Sequence, residues 1–215
     1  MRGYKFLSLE FGERVLREKR LKVSSLLSLN DPFDCRATKF PTREDRIIWS
    51  KYIEHASKES GIVCFSKSWE NPVIWSHYAE NAQGVALGFD LPDAGLMEVE
   101  YRPDLIISRG WNELDKQAKI DLSMLAFRRK YEHWQYEDEV RYVIKFRGAV
   151  DGNGLQFIDF GNDLVLKEVV FGPLFPGKYA KKFRSLSDNY VKYTTTRIAF
   201  NTFTVTEQKN KRKQL

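Results

Sequence analysis

From Val140 to Phe146 an apolar side chain takes every second position. Val140, Tyr142, Ile144 and Phe146 alternate with Arg141, Val143 and Lys145. That period of two belongs to a strand with one buried face. The residues leading into it, Trp134-Gln135-Tyr136-Glu137-Asp138-Glu139, bring two glutamates to the mouth of the strand. If the extended conformation starts at Glu137, Glu137, Glu139 and Arg141 point to one side. Two acids and a base on one face are costly to bury without partners. Catalytic sites keep such groups together, because their mutual charge effects set which of them is protonated. The plainer alternative is a surface salt-bridge cluster at a strand end.

A chain of 215 residues, 42% hydrophobic and 14% aromatic, is long enough for one domain with a real core. We expect a single domain over residues 1–207 and a basic tail over 208–215, read as disordered from Lys209, Lys211, Arg212 and Lys213. No apolar run approaches the ~20 residues of a membrane span. The start, Met1-Arg2-Gly3-Tyr4-Lys5-Phe6, enters a strand-like pattern at once, without the look of a secretory signal. The cytoplasm is therefore the expected location. Two cysteines, Cys35 and Cys64, are too few for a disulfide framework or a structural zinc site. The net charge of +6 permits an acidic ligand such as a dinucleotide, or nucleic acid, and demands neither.

Along the chain, Gly3 to Leu7 reads as a strand, and Ser8 as the cap of a helix through about Arg20. Leu21 to Ser25 is extended. Thr42 caps a helix from Arg43 to about Lys58. Gly61 to Ser66 is a buried strand. Asn71 and Pro72 are the cap and first position of a helix carrying Trp75, His77 and Tyr78, with Gly84 beyond its end. Gly84 to Asp90 and Leu96 to Arg102 are strands. Asn112 to Tyr131 is the longest predicted helix. Leu155 to Phe160 and Leu164 to Phe171 are strands, and Gly152-Asn153-Gly154 is a hairpin turn. Lys178 to Tyr190 is a helix, and Val191 to Thr196 and Arg197 to Val205 are terminal strands. Helices and strands are interspersed without regular alternation. The expected fold is α+β, a single domain around a strongly bent or split mixed sheet flanked by helices.

Three other groups of residues bear on chemistry. Trp75, Tyr78 and Ala79 share a helix face, for packing on the sheet or for stacking on a flat ligand ring. His77 has no second ligand at metal spacing and is read as a structural hydrogen-bonding group. His55 and His133 read as surface or helix-end residues. Asp31 and Asp34 with Glu137 and Glu139 form an oxygen-rich set suited to a metal, as in a metal-dependent nuclease. The rival reading of Asn30-Asp31-Pro32 is ordinary turn chemistry. No glycine-rich phosphate loop and no Gly-x-Ser-x-Gly elbow is present, and no metal ligand is assigned.

Taken in order, Asn30-Asp31-Pro32-Phe33-Asp34, Cys64-Phe65-Ser66, Trp75-Ser76-His77-Tyr78-Ala79 and Trp134-x-x-Glu137-x-Glu139-x-Arg141 resemble a widespread bacterial family of unknown function over most of the chain. That resemblance names no activity. More distantly, the chain resembles the ADP-ribosyltransferases. It implies a split sheet that binds NAD, with the early strand Tyr4-Lys5-Phe6 and Ser66 at the ligand. Tyr78, near Trp75, takes the place of the tyrosine that stacks on nicotinamide. Glu139, with Glu137 as competitor, takes the place of the catalytic glutamate, and Arg141, expected with Trp75 among the NAD-contacting residues, holds it ionised. The first place carries Lys5 or Tyr4 where those enzymes carry His. The implied activity is ADP-ribosyl transfer to a macromolecular acceptor, protein or nucleic acid, or hydrolysis of NAD. In bacteria it would fit a toxin or a phage-defence effector. The alternatives are a non-catalytic nucleotide or nucleic-acid binding module and the metal-dependent nuclease. No membrane partner is expected.

Overall fold

The computed structural model describes residues 1–146, 155–210 and 213–214. The chain begins with β1 (Arg2–Leu7), α1 (Leu9–Glu18) and β2 (Arg20–Ser25). Then come β3 (Thr38–Lys39), α2 (Arg43–Glu59), β4 (Ser60–Ser66), α3 (Pro72–Tyr78) and β5 (Val85–Asp90). Next are β6 (Leu96–Glu98), β7 (Glu100–Arg102), β8 (Ile106–Ile107), α4 (Lys116–Arg128), β9 (Arg129–Tyr131) and β10 (Glu139–Lys145). The last elements are β11 (Gln156–Asp159), β12 (Val165–Phe171), α5 (Ala180–Arg184), β13 (Lys192–Ile198) and β14 (Val205–Glu207). Together they make one α+β unit built on a large mixed sheet.

Local chemistry sets most helix starts. The Ser8 side chain accepts from Phe11 N–H, Thr42 from Asp45 N–H, and Asn71 from Val73 N–H with Pro72 next in line. Each satisfies a donor that a helix start would otherwise leave unbonded. Lys19, in the left-handed region at φ 50°, ends α1 and turns the chain into β2.

The sheet forks at β4. One edge of β4 pairs with β10 along its whole length, from Glu139 opposite Ser66 to Lys145 opposite Ser60. Its other edge is shared. β2 pairs there only through Ser24 and Ser25, opposite Ile62 and Gly61, and β1 only through Tyr4, opposite Ser66. Between these contacts the strands part. One branch continues from β1 through β5, β12 and β13 to β14, and the other from β2 to β11. Within the fork the Cys64 carbonyl accepts a hydrogen bond of 3.2 Å from the Lys5 ammonium. A side chain there supplies the donor that a neighbouring strand would otherwise bring.

Alternation along the strands divides the interior into three cores. Val63 and Phe65 of β4, Leu87 and Phe89 of β5 and Phe171 of β12 face a main core closed by Leu16 of α1 and Phe183 of α5. Ile62, on the opposite face of β4, packs with Trp49, Trp111, Leu122 and Ala126 between α2 and α4. Phe6, Ala86 and Val170 pack under α3 with Ile74, Trp75 and Val205. Burial of each large side chain stabilises the fold by roughly 1.5–3 kcal/mol.

Four expected elements come out differently. The helix expected over Asn112–Tyr131 is α4 alone, and its last three residues become β9, paired with β7. Apolar spacing runs on past Arg128, but Lys130 is drawn inward by carboxylates that no local pattern reveals. The helix expected to reach Tyr190 stops at Arg184, because Ser185, Ser187, Asp188 and Asn189 favour turns. The extended run from Leu96 to Arg102 breaks at Val99 into β6 and β7. Finally, Lys192–Ile198 is one strand, and Arg197–Val205 is for the most part the loop after it. The Gly152-Asn153-Gly154 turn and Lys211, Arg212 and Leu215 of the tail lie outside the described residues. In the described part of the tail, Gln208 N–H bonds Thr195 O at 2.8 Å.

Candidate functional site

Glu139 opens β10, but the extended backbone begins there and not at Glu137. Residues Glu132–Glu137 form a short 3-10 helix, and Asp138 reverses the chain at φ 42°, ψ 53°. Aspartate tolerates this left-handed conformation better than most residues. Glu137 therefore reaches the site from a helical turn and Glu139 from a strand. The two still meet on one cation: Lys130 Nζ lies 2.5 Å from Glu137 Oε2 and 3.0 Å from Glu139 Oε2.

Five further side chains, Arg141, Asp34, Tyr78, Asn30 and Tyr101, complete the cluster. Arg141 donates from Nε to Glu139 Oε1 at 2.9 Å and from Nη2 to Asp34 Oδ1 at 2.5 Å, and its Nη1 bonds the Phe127 carbonyl. Tyr78 donates its hydroxyl proton to Glu137 Oε1 at 2.5 Å, and Asn30 donates to the Tyr78 oxygen at 2.6 Å. The Tyr101 oxygen accepts from Glu139 N–H. Asp31 stays with its own loop, accepting from Phe33 N–H. Lys130 and Arg141 thus supply the positive charge to which Asp34, Glu137 and Glu139 bind.

The charged members of the cluster, Asp34, Lys130, Glu137, Glu139 and Arg141, are all buried, with Arg141 0% and Glu139 4% exposed. Three carboxylates face two cations, so full ionisation would leave one negative charge uncompensated in a poorly solvated place. The protonation pattern answers this. Burial pushes Glu137 up from its ordinary value against the pull of Lys130, and pushes Asp34 up against Arg141 and Lys130. At Glu139 burial is outweighed by Arg141 and Lys130 together, which hold the carboxyl down at about 2. The close Lys130–Glu137 contact favours the carboxylate, but of the three acids Arg141 reaches only Asp34 and Glu139, and the pKa of Glu137 stays above its ordinary value. Burial and the neighbouring Glu137 both raise Tyr78, which stays a neutral donor.

The cluster forms one wall of a cavity of about 210 Å³ in the fork of the sheet. Tyr4, Lys5 and Phe6 of β1 line it on one side, Cys64 to Ser66 of β4 form its base, and Asn30, Tyr78, Glu137 and Glu139 close it. The structure therefore brings Tyr4, Lys5, Phe6, Ser66, Tyr78, Glu137 and Glu139 to one place. Tyr4 also donates to Glu168 at 3.3 Å, and Ser66 Oγ is engaged with the Ser68 backbone.

Two expected ligand-contacting residues stand back from the cavity. Trp75 is 0% exposed, gives its indole proton to the Trp69 carbonyl and meets Phe6 edge-on at 4.8 Å. It packs α3 on the sheet. Arg141 acts on Glu139 and Asp34 from behind and does not line the cavity. His77 hydrogen-bonds Tyr136 and plays the structural part expected of it. Lys130, Asn30 and Tyr101 belong to the cluster although no motif in the sequence assigns them to the site. The sole sign of Lys130 in the sequence is indirect, since three acids with one arginine require a second cation.

Comparison of the chain with protein-family models, curated proteins and solved structures returns no match. The functional reading rests on the site.

Proposed function

We propose that the protein cleaves the N-glycosidic bond of NAD, releases nicotinamide, and passes the ADP-ribosyl group to water or to a macromolecular acceptor. The observation that carries this reading is the carboxyl pair. Glu137 and Glu139 share one lysine at the edge of a cavity, yet their surroundings push them to opposite protonation behaviour. Two neighbouring carboxyls with separated pKa values are the usual arrangement for dividing acid–base work from charge stabilisation.

As the bond from the ribose C1′ to the nicotinamide nitrogen breaks, its electron pair stays with nicotinamide and positive charge grows on the ribose. The ionised Glu139, fixed by Arg141 and Lys130 before reaction, answers that charge. Water then bonds to C1′ and gives up a proton to Glu137, whose raised pKa brings it nearer the working range of a general base. The products are ADP-ribose, nicotinamide and a proton. Tyr78, half-buried at the cavity, offers a ring face to the flat leaving group. A cavity of about 210 Å³ is below the ~300 Å³ at which whole-ligand pockets begin. It suits the nicotinamide end of a dinucleotide, with the phosphates extending past Lys5. The forked sheet, with Tyr78 and Glu139 at one cavity, supports this reading.

The test is direct. Purified protein with NAD should release nicotinamide, and Glu139→Gln should abolish that release while still binding NAD by calorimetry. A wild-type protein that shows no heat of binding with NAD would sink the reading.

One observation favours a second reading, a non-catalytic nucleotide-binding module. Both carboxylate oxygens of Glu139 are already paired with Arg141 and Lys130, as in a purely structural network. NAD binding without nicotinamide release by the wild type would establish it.

A further inference from the structure

The arm formed by β13 and β14 carries the barest aromatic side chains of the fold. Phe200 is 87% exposed and Phe203 98%. Both sit in the loop between the strands, which is closed by Ala199 N–H bonding Thr204 O at 2.9 Å. The arm itself is firmly rooted. Val205 is 1% exposed, its N–H bonds the Glu70 carbonyl at 2.7 Å, and its side chain packs with Phe6, Ile74 and Trp75. Two phenyl rings are therefore held in water by an ordered hairpin, where polar residues would serve a turn equally well.

Positive charge lies beside the Phe200 ring. The Arg197 guanidinium lies 4.7 Å from the centre of the Phe200 ring. Arg197 and Phe200 line a groove of about 310 Å³ together with Gln208, Lys209, Asn210 and Lys213. An aromatic platform beside a basic track is the combination that binds unpaired nucleic acid. Bases stack on the rings, cations take the phosphates, and side-chain amides stand at the height of the base edges.

We propose that this arm is a binding surface for single-stranded nucleic acid, separate from the cavity in the fork. A duplex is a poorer partner, because its base faces are already stacked. A lipid surface is a poorer fit as well. The apex between the rings holds Asn201 and Thr202, whose hydroxyl bonds Thr204, and a hairpin that enters a bilayer presents a continuous apolar face there. The proposal does not rest on the NAD reading.

Fluorescence anisotropy with labelled single-stranded DNA and RNA oligonucleotides, and with the matching duplexes, tests it on the full chain. The wild type should bind single strands more tightly than duplexes, and more weakly as salt rises. Phe200→Ala with Phe203→Ala should weaken binding about tenfold or more, at unchanged melting temperature, since both rings lie in solvent. Arg197→Ala with Lys209→Ala should weaken binding and flatten its salt dependence. Nicotinamide release from free NAD should be the same in all of these proteins. Three results overturn the proposal: no oligonucleotide binding by the wild type, equal binding by the double phenylalanine variant, or preference for duplex. Association with anionic phospholipid vesicles that is lost with the two phenylalanines, while oligonucleotide binding is not, would reassign the arm to membranes. A protein that binds single strands and leaves NAD intact would uphold this surface and remove the NAD reading alone.

Discussion

Tyr78 and Glu137, 59 positions apart in the chain, are joined by a hydrogen bond of 2.5 Å from the phenol to Oε1. The contact ties α3 to the turn before β10 and places a neutral donor on the carboxyl whose pKa burial has raised. Removing the hydroxyl should act on the reaction more than on binding. Tyr78→Phe keeps the ring and removes a bond that favours the ionised carboxyl, so Glu137 should protonate still more readily. We expect kcat for nicotinamide release to fall severalfold with KM little changed, and the alkaline side of the pH optimum to persist while the acid limb moves to higher pH. Steady-state kinetics across pH checks this, and an unchanged acid limb would count against Glu137 as the base.

Glu139→Gln removes the charge that is proposed to meet the developing cation. Loss of one preorganised electrostatic partner costs roughly 10²–10³ in rate, and nicotinamide release should fall by that much or more. Calorimetry with NAD should still register binding.

The two glutamates should leave opposite marks on stability against pH. Glu139 is depressed in the folded state, so its contribution is present above the ordinary glutamate range and lost as pH falls through that range toward about 2. Glu137 is raised, so its contribution is present in acid and lost as pH rises above the ordinary range. Thermal melts from pH 3 to 8 should show Glu139→Gln losing most, relative to wild type, at neutral pH. Glu137→Gln should gain on wild type as pH rises. Parallel melting curves for the wild type and both variants would refute the charge assignment.

Lys130→Met leaves three buried carboxylates with Arg141 alone. Breaking a buried ion pair from one side costs about 3–5 kcal/mol, and the variant should melt well below the wild type at pH 7. Acid should narrow the gap, because protonation relieves the unpaired carboxylates. A gap that widens in acid would contradict the structure.

Gly84→Ala should fail to fold. A Cβ at that position would stand 2.1 Å from the Leu7 carbonyl oxygen and 3.0 Å from the Ala79 backbone, where no flexible side chain can yield. Far-ultraviolet dichroism of the purified variant decides it, and a wild-type spectrum with a wild-type melting temperature would show that the backbone can move aside.

Much of the fold was legible because its signals are local. Ser8, Thr42 and Asn71 are caps that act within three residues, and the alternation around Val63, Leu87 and Val140 reads directly as strand. Glu139, Glu137 and Tyr78 were singled out from short motifs, and the fold brings them together. The misses are long-range. Arg141 meets Asp34 across 107 positions, and no window of sequence holds both. Lys130 sits at the end of a helical stripe, so periodicity carried the helix through it, although the carboxylates it serves bend it into β9. Trp75 and Tyr78 looked alike as helix aromatics. Three residues of rotation, less than a full helical turn, send one into the core and leave the other at the cavity.

The bond from Lys5 to the Cys64 carbonyl gives the fork a removable rung. Strands joined by backbone ladders separate only by unzipping, one pair pulling on the next. Here a single ammonium closes the gap, and under the proposed NAD reading it moves from the carbonyl to an arriving phosphate while every ladder on either branch stays closed. The rung would act as a latch, and an anionic guest would be the key that releases it.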